Sequence, residues 1–366
     1  MARDKVFLVI VQPKSGRTRV YEDLESELRS LTLSAGGEIA GSMKVTLERP
    51  TSNIFITKGK LSQLSDEVKT LRASVVIANV DLSPVQCRNI ESSVGVRVVD
   101  RTGLILDIFA RRAKSHAGRL QVELAQLNYL LPRLSGQGVL MSRLGGGIGT
   151  RGPGEQKLEI DRRRIRARID KLKEDLKKLK THQELIRSRR KRSNSGTVAL
   201  IGYTNAGKST LLNALTGSNV LVEDRLFATL DPTTRALSGN SGREILLTDT
   251  IGFLVDLPHA LIEAFRSTLE EVVQTDLLVH VVDASDPAID GHKSAVEKVL
   301  EELGAKEKPV LLALNKIDRL TPEEQKMIGG RFPEGILISA REKNTLKELI
   351  DVMKQKLLGL RVPAET

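Results

Sequence analysis

Residues 202–209 read GYTNAGKS and constrain this chain more than any other segment, because they match the phosphate-binding pattern G-x-x-x-x-G-K-[ST]. An apolar run at 198–201 precedes them and a helical apolar pattern at 210–215 follows, so the segment lies between a predicted strand and a predicted helix. Glycines let a backbone wrap closely around an anion, and a helix N-terminus attracts negative charge. We therefore expect Lys208 to reach the β- and γ-phosphates of a nucleotide and Ser209 to ligate Mg²⁺. For this motif alone, an ordinary glycine-rich turn is the alternative.

A second motif, DTIG at residues 249–252, follows a predicted apolar strand at 244–248. At the end of that strand, Asp249 is placed to hold a water molecule bound to Mg²⁺. The amide of Gly252 is placed near the γ-phosphate of a nucleotide. The motif therefore adds a metal ion and a triphosphate to the expected phosphate site.

Two further motifs indicate that the nucleotide carries guanine. Residues 315–318, NKID, end the predicted strand 310–314, and Asp318 can accept two hydrogen bonds, from guanine N1 and N2. Adenine cannot supply these donors, so a carboxylate that is paired with guanine is left unpaired with adenine. Ser339 and Ala340 are expected to close over the base. Each short motif is common, and NKID alone could be a strand-end turn, but all four in this order at strand ends are specific.

The composition is typical of a soluble intracellular protein of two to three domains, with 366 residues and 40% hydrophobic content. The single cysteine, Cys87, excludes an internal disulfide framework and a cysteine-rich zinc site. The apolar run at 6–11 is too short for a signal sequence or a membrane span, and it is interpreted as a first strand. The five histidines lack ligand spacing, and His280, inside a predicted strand at 277–282, is interpreted as a satisfied structural residue.

The positive charge is concentrated in one segment. Residues 151–192 hold 17 of the 57 basic residues and only 7 of the 46 acidic ones, a net charge of +10 out of the +11 of the whole chain. This concentration predicts a polyanionic partner such as nucleic acid. Tryptophan is absent and aromatic residues make up 3%, which favours phosphate contact and recognition of shape over base stacking. A solvated, charged helix face is the alternative.

Apolar residues recur at spacings of four and three in two segments, which predicts an apolar seam on each of two helices. The upstream seam consists of Leu120, Leu124, Leu127, Leu131 and Leu134. The downstream seam consists of Ile165, Ile169, Leu172, Leu176, Leu179 and Ile186, with Gln183 at the remaining position. Residues 143–154 between them are too rich in glycine to continue either helix. We predict an antiparallel helical hairpin with a basic outer face and a flexible tip; a coiled-coil dimer that uses only the second helix is the alternative.

The first 115 residues or so are predicted to form a separate α/β unit. Its predicted strands are 6–12, 38–47, 74–80 and 95–99. Its predicted helices are 20–31, 59–72, 83–93 and 101–113. Residues 57–60, TKGK, lack the glycine spacing of a phosphate loop and are interpreted as a turn into a helix. With no catalytic constellation in this unit, we expect it to serve in docking.

Five segments of the chain resemble the HflX family of translation-associated GTPases, over nearly its entire length. They are 82–86 (LSPVQ), 100–109 (DRTGLILDIF), 121–125 (QVELA), 145–155 (GGGIGTRGPGE) and 226–233 (LFATLDPT). The resemblance implies an N-terminal α/β domain with a helical hairpin, then a GTPase domain. It also implies GTP hydrolysis coupled to binding of the large ribosomal subunit, and splitting or rescue of stalled ribosomes under stress. Some family members carry a further C-terminal domain, and no role of that domain is carried over to a sequence ending at Thr366.

The resemblance also assigns roles to single residues. Thr229 is identified as the threonine that reaches Mg²⁺ and the γ-phosphate only in the GTP state, and Asp249 and Gly252 belong to the second switch loop. Phe253 follows the DTIG motif, where many GTPases place a glutamine that orients water. We therefore expect slow hydrolysis that is completed from outside, by a partner, a reordered loop or a monovalent cation. Asn205 resembles the asparagine of potassium-dependent GTPases, with a loop-stabilising role as the alternative.

Motifs and resemblance together define the predicted site. The expected catalytic residues are Lys208, Thr229 and Gly252, and the expected magnesium ligands are Ser209, Thr229 and Asp249. The expected nucleotide-binding residues are Gly202, Tyr203, Thr204, Asn205, Ala206, Gly207, Lys208, Ser209, Thr210, Phe227, Ala228, Thr229, Leu230, Asp231, Asp249, Thr250, Ile251, Gly252, Asn315, Lys316, Ile317, Asp318, Ser339, Ala340 and Arg341. The cofactors expected are Mg²⁺ and, as a candidate, K⁺.

The sequence thus predicts an α/β protein in three parts: an N-terminal α/β domain at 1–115, a basic helical hairpin at 116–194, and a P-loop GTPase domain with a mostly parallel sheet at 195–366. The expected partners are GTP or GDP and the large ribosomal subunit with its rRNA. The expected state is a monomer without a membrane span, located in the cytoplasm or at the periphery of a membrane. The alternative function is a nucleotide-licensed RNA-binding factor for ribosome assembly or hibernation.

Overall fold

The chain, in a computed structural model, divides into two compact units, Met1–Lys177 and Lys178–Thr366. The structure describes residues 4–14, 18–134, 153–192, 195–220, 223, 225–237, 244–255, 258, 261, 265, 269 and 272–359. Most of the predicted glycine-rich tip, at 143–152, lies outside the described residues.

A four-stranded parallel sheet in the order β2-β1-β3-β4 forms the centre of the first unit. Its strands are β1 (Lys5–Pro13), β2 (Glu38–Leu47), β3 (Val75–Ala78) and β4 (Arg97–Val99). The helices of the alternating pattern are α1 (Thr18–Ser34), α2 (Lys58–Leu71), α3 (Pro84–Val94) and α4 (Arg101–Arg112). Each predicted strand and helix of this unit is present, with its ends within three residues of the predicted ones. The α/β fold class is confirmed.

Side-chain caps explain where two of these helices begin. Ser83 and Gln86 form a reciprocal capping box at the start of α3, and Pro84 occupies the first turn, where its missing N–H costs nothing. Thr57 accepts a hydrogen bond from the backbone N–H of Lys60 at the start of α2. The turn predicted at 57–60 is therefore a helix cap.

Asp100, which is 0% exposed and caps α4, is the centre of a buried hydrogen-bond network. Its Oδ1 accepts hydrogen bonds from the amide of Gly103 (2.8 Å) and the hydroxyl of Tyr129 (2.7 Å). Its Oδ2 accepts from the amide of Leu82 (3.2 Å) and from Nη2 of Arg133 (2.6 Å). A buried carboxylate is tolerated only when it is paired in this way, so these four donors offset its loss of hydration.

The network also changes the chemistry of its neighbours. The guanidinium of Arg133 stacks over the ring of Tyr129 at 3.5 Å, and burial together with Asp100 raises the pKa of Tyr129. Burial, assisted by the charge of Asp100, raises the pKa of the Cys87 thiol to about 11. These groups therefore remain neutral around physiological pH.

Helix α5 (His116–Arg133) and helix α6 (Pro153–Arg192), the latter 40 residues long, correspond to the two predicted seams. The burial is concentrated in part of each seam, at Leu120, Leu124, Ile169 and Leu172. The other described seam side chains are half-buried, and those of Gln183 and Ile186 lie outside the described part. The antiparallel sense of the hairpin stays a prediction.

One ion pair joins these two helices: Nε and Nη2 of Arg168 donate to the two carboxylate oxygens of Glu123 at 2.7 and 2.8 Å. A bidentate arrangement is the geometry that an arginine and a carboxylate prefer. No helix within the described ranges has the length and apolar content needed to cross a bilayer.

The second unit is built on a six-stranded sheet in the order β10-β9-β8-β5-β7-β6, in which only the β6–β7 pairing is antiparallel. Its strands are β5 (Gly196–Ile201), β6 (Thr233–Ala236), β7 (Ile245–Asp249), β8 (Leu277–Asp283), β9 (Val310–Asn315) and β10 (Gly335–Leu337). Its helices include α7 (Lys208–Thr216), α8 (Ile289–Glu302), α9 (Pro322–Arg331) and α10 (Leu346–Gly359). Because its central strands are parallel, their carboxyl ends lie at one edge, where all four sequence motifs are found.

His280 lies in the middle of β8 and is buried, as the sequence predicts for a structural residue. The expectation that it is satisfied is wrong, because its Nε2 has no hydrogen-bond partner among the described residues. Burial, with the positive charges of Lys293 and Lys208, lowers its pKa to about 3. The imidazole therefore stays neutral, which is the less costly way to bury it.

We predict that Asp100→Ala decreases the free energy of opening of the first unit by about 3–5 kcal/mol, because Arg133 and three other donors lose a buried acceptor. Hydrogen exchange of the amides in α4 measures this change, and the amides of β8 in the second unit serve as an internal reference. Glu48→Ala, which removes only an exposed ion pair with Lys14, is the matched control and should leave exchange nearly unchanged. Equal protection in both variants would show that the network does not stabilise this unit.

Candidate functional site

The phosphate loop runs from the end of β5 to the start of α7, as the motif predicts. Two of its glycines have conformations that other residues adopt with strain, Gly202 with φ 151° and Gly207 with φ 96°. A Cβ on Gly202 would lie 2.1 Å from the carbonyl oxygen of Val281, and one on Gly207 would lie 2.3 Å from Nδ2 of Asn315. The loop can therefore pack against β8 and β9 only because these positions carry no side chain.

Lys208 is buried at the base of this loop. Its Nζ donates hydrogen bonds to the carbonyl oxygens of Gly202 (3.0 Å) and Tyr203 (2.9 Å). Burial lowers the pKa of Lys208 to about 8, with Lys316 acting in the same direction and Asp249 against it. An incoming phosphate would place negative charge beside this ammonium and so favour its ionised form.

Three oxygens from three different elements converge beside Lys208. Oγ of Ser209 lies 2.8 Å from Oγ1 of Thr229, and both hydroxyls donate to Oδ2 of Asp249, at 2.6 and 3.0 Å. Burial raises the pKa of Asp249, and its Oδ1 has no hydrogen-bond partner in the described part of the chain. Hydroxyl and carboxylate oxygens are the ligands that Mg²⁺ prefers, so this cluster fits the ion that the sequence predicts.

The second switch loop is joined to the phosphate loop through its backbone. The amide of Phe253 donates to the carbonyl oxygen of Gly202 (3.1 Å), and its carbonyl oxygen accepts from the amide of Thr204 (2.8 Å). The Phe253 side chain is 1% exposed and belongs to the core. A Cβ on Gly252 would lie 2.7 Å from Cγ2 of Thr204, so the two loops are in close contact. Phe253 therefore holds the loop in place and presents no group that could orient water.

A cavity opens between the phosphate loop and the two switch segments. Its lining includes eleven of the predicted residues: Thr204, Asn205, Gly207, Lys208, Ser209, Thr210, Phe227, Ala228, Thr229, Thr250 and Gly252. It also includes Glu223 and Arg225, which no motif indicated. Phe227 is buried with φ 56°, a conformation that turns the first switch segment towards the cavity.

The predicted base-recognition residues lie together at the ends of β9 and β10. Asn315 links them to the phosphate loop, because its Nδ2 donates to the carbonyl oxygen of Ala206 (2.8 Å) and its Oδ1 accepts from the amide of Ala340 (2.9 Å). Oδ1 of Asp318 accepts from the hydroxyl of Ser339 (2.7 Å). The carboxylate that is expected to read guanine is thus already oriented by a buried serine.

Four of the predicted residues have side chains that lie outside this cavity, and their roles in nucleotide binding stay predictions. Leu230, Ile251 and Ile317 have buried side chains that pack in the interior and do not line the cavity. Arg341 has an exposed side chain, and its backbone N–H donates to Oγ of Ser339 at 3.3 Å. A residue can therefore belong to one of the short motifs without its side chain lining the cavity.

Sequence reasoning missed three residues at and after the end of β8, which are Asp283, Asp286 and His292. Nζ of Lys316 lies 2.7 Å from Oδ2 of Asp283, and the ring of His292 stacks on Tyr203 at 3.7 Å with an interplanar angle of 12°. Nδ1 of His292 lies 2.8 Å from Oδ2 of Asp286. The sequence feature that could have indicated these residues is the position of Asp283, which is the last residue of a strand that ends beside the phosphate loop.

A parallel sheet that carries a phosphate loop, a Mg²⁺-compatible oxygen cluster and a guanine-type motif at one edge defines a P-loop GTPase. Comparison with protein families agrees with this class. Residues 22–110 match the model described as GTP-binding GTPase N-terminal, and residues 112–190 match the GTP-binding GTPase Middle Region. Residues 197–316 match the model of the 50S ribosome-binding GTPase.

Known proteins similar to this chain narrow the class further. The chain is 50% identical over 357 residues to GTPase HflX of Caldanaerobacter subterraneus subsp. tengcongensis, with 98% of this chain and 82% of that protein covered. It is 43% identical over 352 residues to GTPase HflX of Escherichia coli, with 94% and 82% covered. The crystal structure of the SsGBP and GDP complex is 27% identical with a TM-score of 0.53, covering 98% of this chain and 100% of that one. The chain belongs to the HflX family of GTPases, which confirms the resemblance and makes it a GTP hydrolase.

We predict that nucleotide binding takes up a proton at Lys208. Because burial lowers the pKa of the free ammonium to about 8 and phosphates raise it, uptake should increase between pH 7.5 and pH 8.5. Affinity should therefore fall as the pH rises above 8. Calorimetry in buffers of different ionisation enthalpy measures the uptake, with the exposed Lys306→Gln variant as control. If the uptake is the same at both pH values, Lys208 is fully charged before the nucleotide binds.

Proposed function

We propose that this GTPase binds the large ribosomal subunit and couples GTP binding and hydrolysis to the splitting or rescue of stalled or idle ribosomes. The observation that carries the proposal is the match of residues 197–316 to the family model of the 50S ribosome-binding GTPase. In this proposal the three parts of the chain have separate tasks. Residues 1–115 dock, residues 116–194 contact rRNA, and residues 195–366 bind and hydrolyse GTP. The protein acts as a monomer at ribosomes in the cytoplasm or at the periphery of a membrane.

The proposed chemistry assigns separate tasks to the predicted residues. Lys208 holds the β- and γ-phosphates, Asp318 reads the guanine, and the amide of Gly252 faces the γ-phosphate. Ser209, Thr229 and Asp249 would hold Mg²⁺, which, when bound, neutralises charge on the phosphates. Contacts of Thr229 and Gly252 with the γ-phosphate would be lost after hydrolysis, so the two switch segments would report the nucleotide state.

Among the described residues, the position after Gly252 supplies no side chain that could orient the attacking water. The side chain of Phe253 is in the core, and its backbone is already used by the phosphate loop. We therefore infer that the ribosome completes the site by ordering Thr229, Gly252 and the water together. Asn205 is exposed at the rim of the cavity with φ 62°, a position from which it could hold K⁺.

We predict slow hydrolysis by the free protein and a large increase with large ribosomal subunits. Completion of a GTPase site by a partner accelerates hydrolysis about 10³–10⁵-fold, which serves here as an upper range. Single-turnover hydrolysis in K⁺ and in Na⁺, with and without subunits, separates the two contributions, and Asn205→Ser should remove only the potassium effect. Fast hydrolysis that neither addition changes would contradict external completion.

Sedimentation distinguishes splitting from the alternative role in ribosome assembly or hibernation. A splitting factor should convert 70S ribosomes to subunits in the presence of GTP and be stimulated by mature large subunits. An assembly factor should bind immature particles preferentially and show little stimulation. This second outcome would overturn the proposed splitting activity while leaving the GTPase assignment intact.

The basic face of α6 is the proposed contact with rRNA, and the structure separates its arginines into two groups. Arg163, Arg164 and Arg166 are exposed. Two of them make long contacts within the helix, Arg164 to Asp161 at 3.8 Å and Arg163 to the carbonyl oxygen of Glu159 at 3.5 Å. Arg168 is held by Glu123 in the bidentate pair, so its charge is already partly neutralised. The exposed group is therefore expected to contribute most of the phosphate contacts.

We predict that replacing Arg163, Arg164 and Arg166 with glutamine weakens ribosome binding and lowers its salt dependence by roughly 0.7–0.9 log units per lost phosphate contact. GTP affinity should not change. Replacing three exposed lysines of the second unit, Lys326, Lys343 and Lys347, removes the same charge and serves as the matched control. The slope of the logarithm of the binding constant against the logarithm of the salt concentration measures this effect. An equal slope in both triple variants would mean that the arginines form only a solvated helix face.

A further inference from the structure

The last residue of β8, Asp283, contacts the base-recognition motif through an ion pair. Oδ2 of Asp283 lies 2.7 Å from Nζ of Lys316, and the two side chains are only 18% and 15% exposed. A pair that is mostly withdrawn from water is screened much less than one on the surface. The pair can therefore hold a side chain in one position.

The two oxygens of Asp283 have separate partners. Oδ1 accepts hydrogen bonds from the amide of Ser285 (3.0 Å) and from its hydroxyl (2.6 Å), which fixes the turn after β8. Oδ2 is left for Lys316. In addition, the amide of Ala284 donates to the carbonyl oxygen of Asn315 at 2.8 Å, so the turn and the NKID segment are also joined by their backbones.

The side chain of Lys316 lies near the phosphate loop. Its φ of 66° lies in the left-handed region, which costs energy for any residue with a Cβ. Its Cε lies 4.0 Å from where a Cβ on Gly207 would be, so the aliphatic stem extends along the loop towards Asp283. Without the carboxylate, the ammonium would gain hydration by leaving this position.

We propose that Asp283 is a positioning residue for the nucleotide base, which acts by holding the stem of Lys316 against the face of the purine. This inference rests on the proposed assignment of residues 315–318 as the guanine site. The stem contacts the ring face, which is common to all purines, whereas Asp318 reads the groups at the ring edge. Loss of the ion pair weakens binding of every purine nucleotide by the same factor, and loss of the Asp318 carboxylate changes the preference among them.

The test uses Asp283→Asn in the full chain. Asparagine keeps an oxygen for Ser285 and presents an uncharged group to Lys316, so the turn is retained while the ion pair is lost. The dissociation constants of GDP and of inosine diphosphate, measured by calorimetry, should both increase about 5- to 20-fold, with their ratio unchanged. The single-turnover rate at saturating GTP should stay within about twofold of the wild type.

Two further variants keep the result interpretable. Asp290→Asn removes a carboxylate that pairs with Arg331 on the exposed side of the same unit, and it should leave both affinities unchanged. In a Lys316→Gln background, Asp283→Asn should have little additional effect on affinity, because the lysine through which Asp283 acts on the base is already absent. An equal loss of affinity in that background would show that Asp283 acts through general stability, and the inference would be wrong. Unchanged affinities in the single variant would also overturn it.

A parallel arm tests the site on which the inference depends. Asp318→Asn should shift the preference from guanosine diphosphate towards xanthosine diphosphate, because the amide reverses one hydrogen-bond partner. If that preference does not shift, the base-site assignment fails and the inference falls with it. If it shifts while Asp283→Asn has no effect, only the role of Asp283 is rejected.

Discussion

The burial of Lys208 next to Asp249 is the constraint on which the rest of the site depends. Both groups have ionised forms that are disfavoured by burial, and the structure places them where carbonyl oxygens and hydroxyls supply partial compensation. Full compensation requires phosphate for the ammonium and a cation for the carboxylate. The protein therefore keeps two opposite charges that are only partly compensated close together, and a nucleotide with its metal ion would compensate both at once. This arrangement explains why the loop must be held firmly by the surrounding elements.

Those groups reach the phosphate loop from three directions. The backbone of Phe253 pairs with it from the second switch segment, the amide of Asn315 from the base motif, and the ring of His292 from α8. Each contact joins the loop to a different part of the second unit. The position of the loop therefore depends on how these parts pack together. As a consequence, Phe253 occupies a position at which many GTPases orient water, and its side chain is used for packing in the core.

The elements of the fold and the four motifs could be predicted from sequence because each has a local signal. Alternating apolar segments predicted the strands and helices of the first unit, and glycine spacing predicted a phosphate loop between β5 and α7. Contacts between distant side chains have no such signal. The pairs Asp283 with Lys316 and Arg168 with Glu123 lie 33 and 45 residues apart, and only the folded chain brings them together. The network around Asp100 was missed for the same reason, although the segment 100–109 had been recognised by its resemblance.

The environment of Cys87 has a consequence for how the first unit can be observed. The chain has one cysteine, and its thiol is buried beside Asp100 with a pKa of about 11, so hardly any reactive thiolate is present near neutrality. An electrophilic label can modify it only when the surrounding helices separate and water restores its ordinary acidity. The rate of labelling would thus record opening of the N-terminal unit alone, in the intact protein and without any introduced probe.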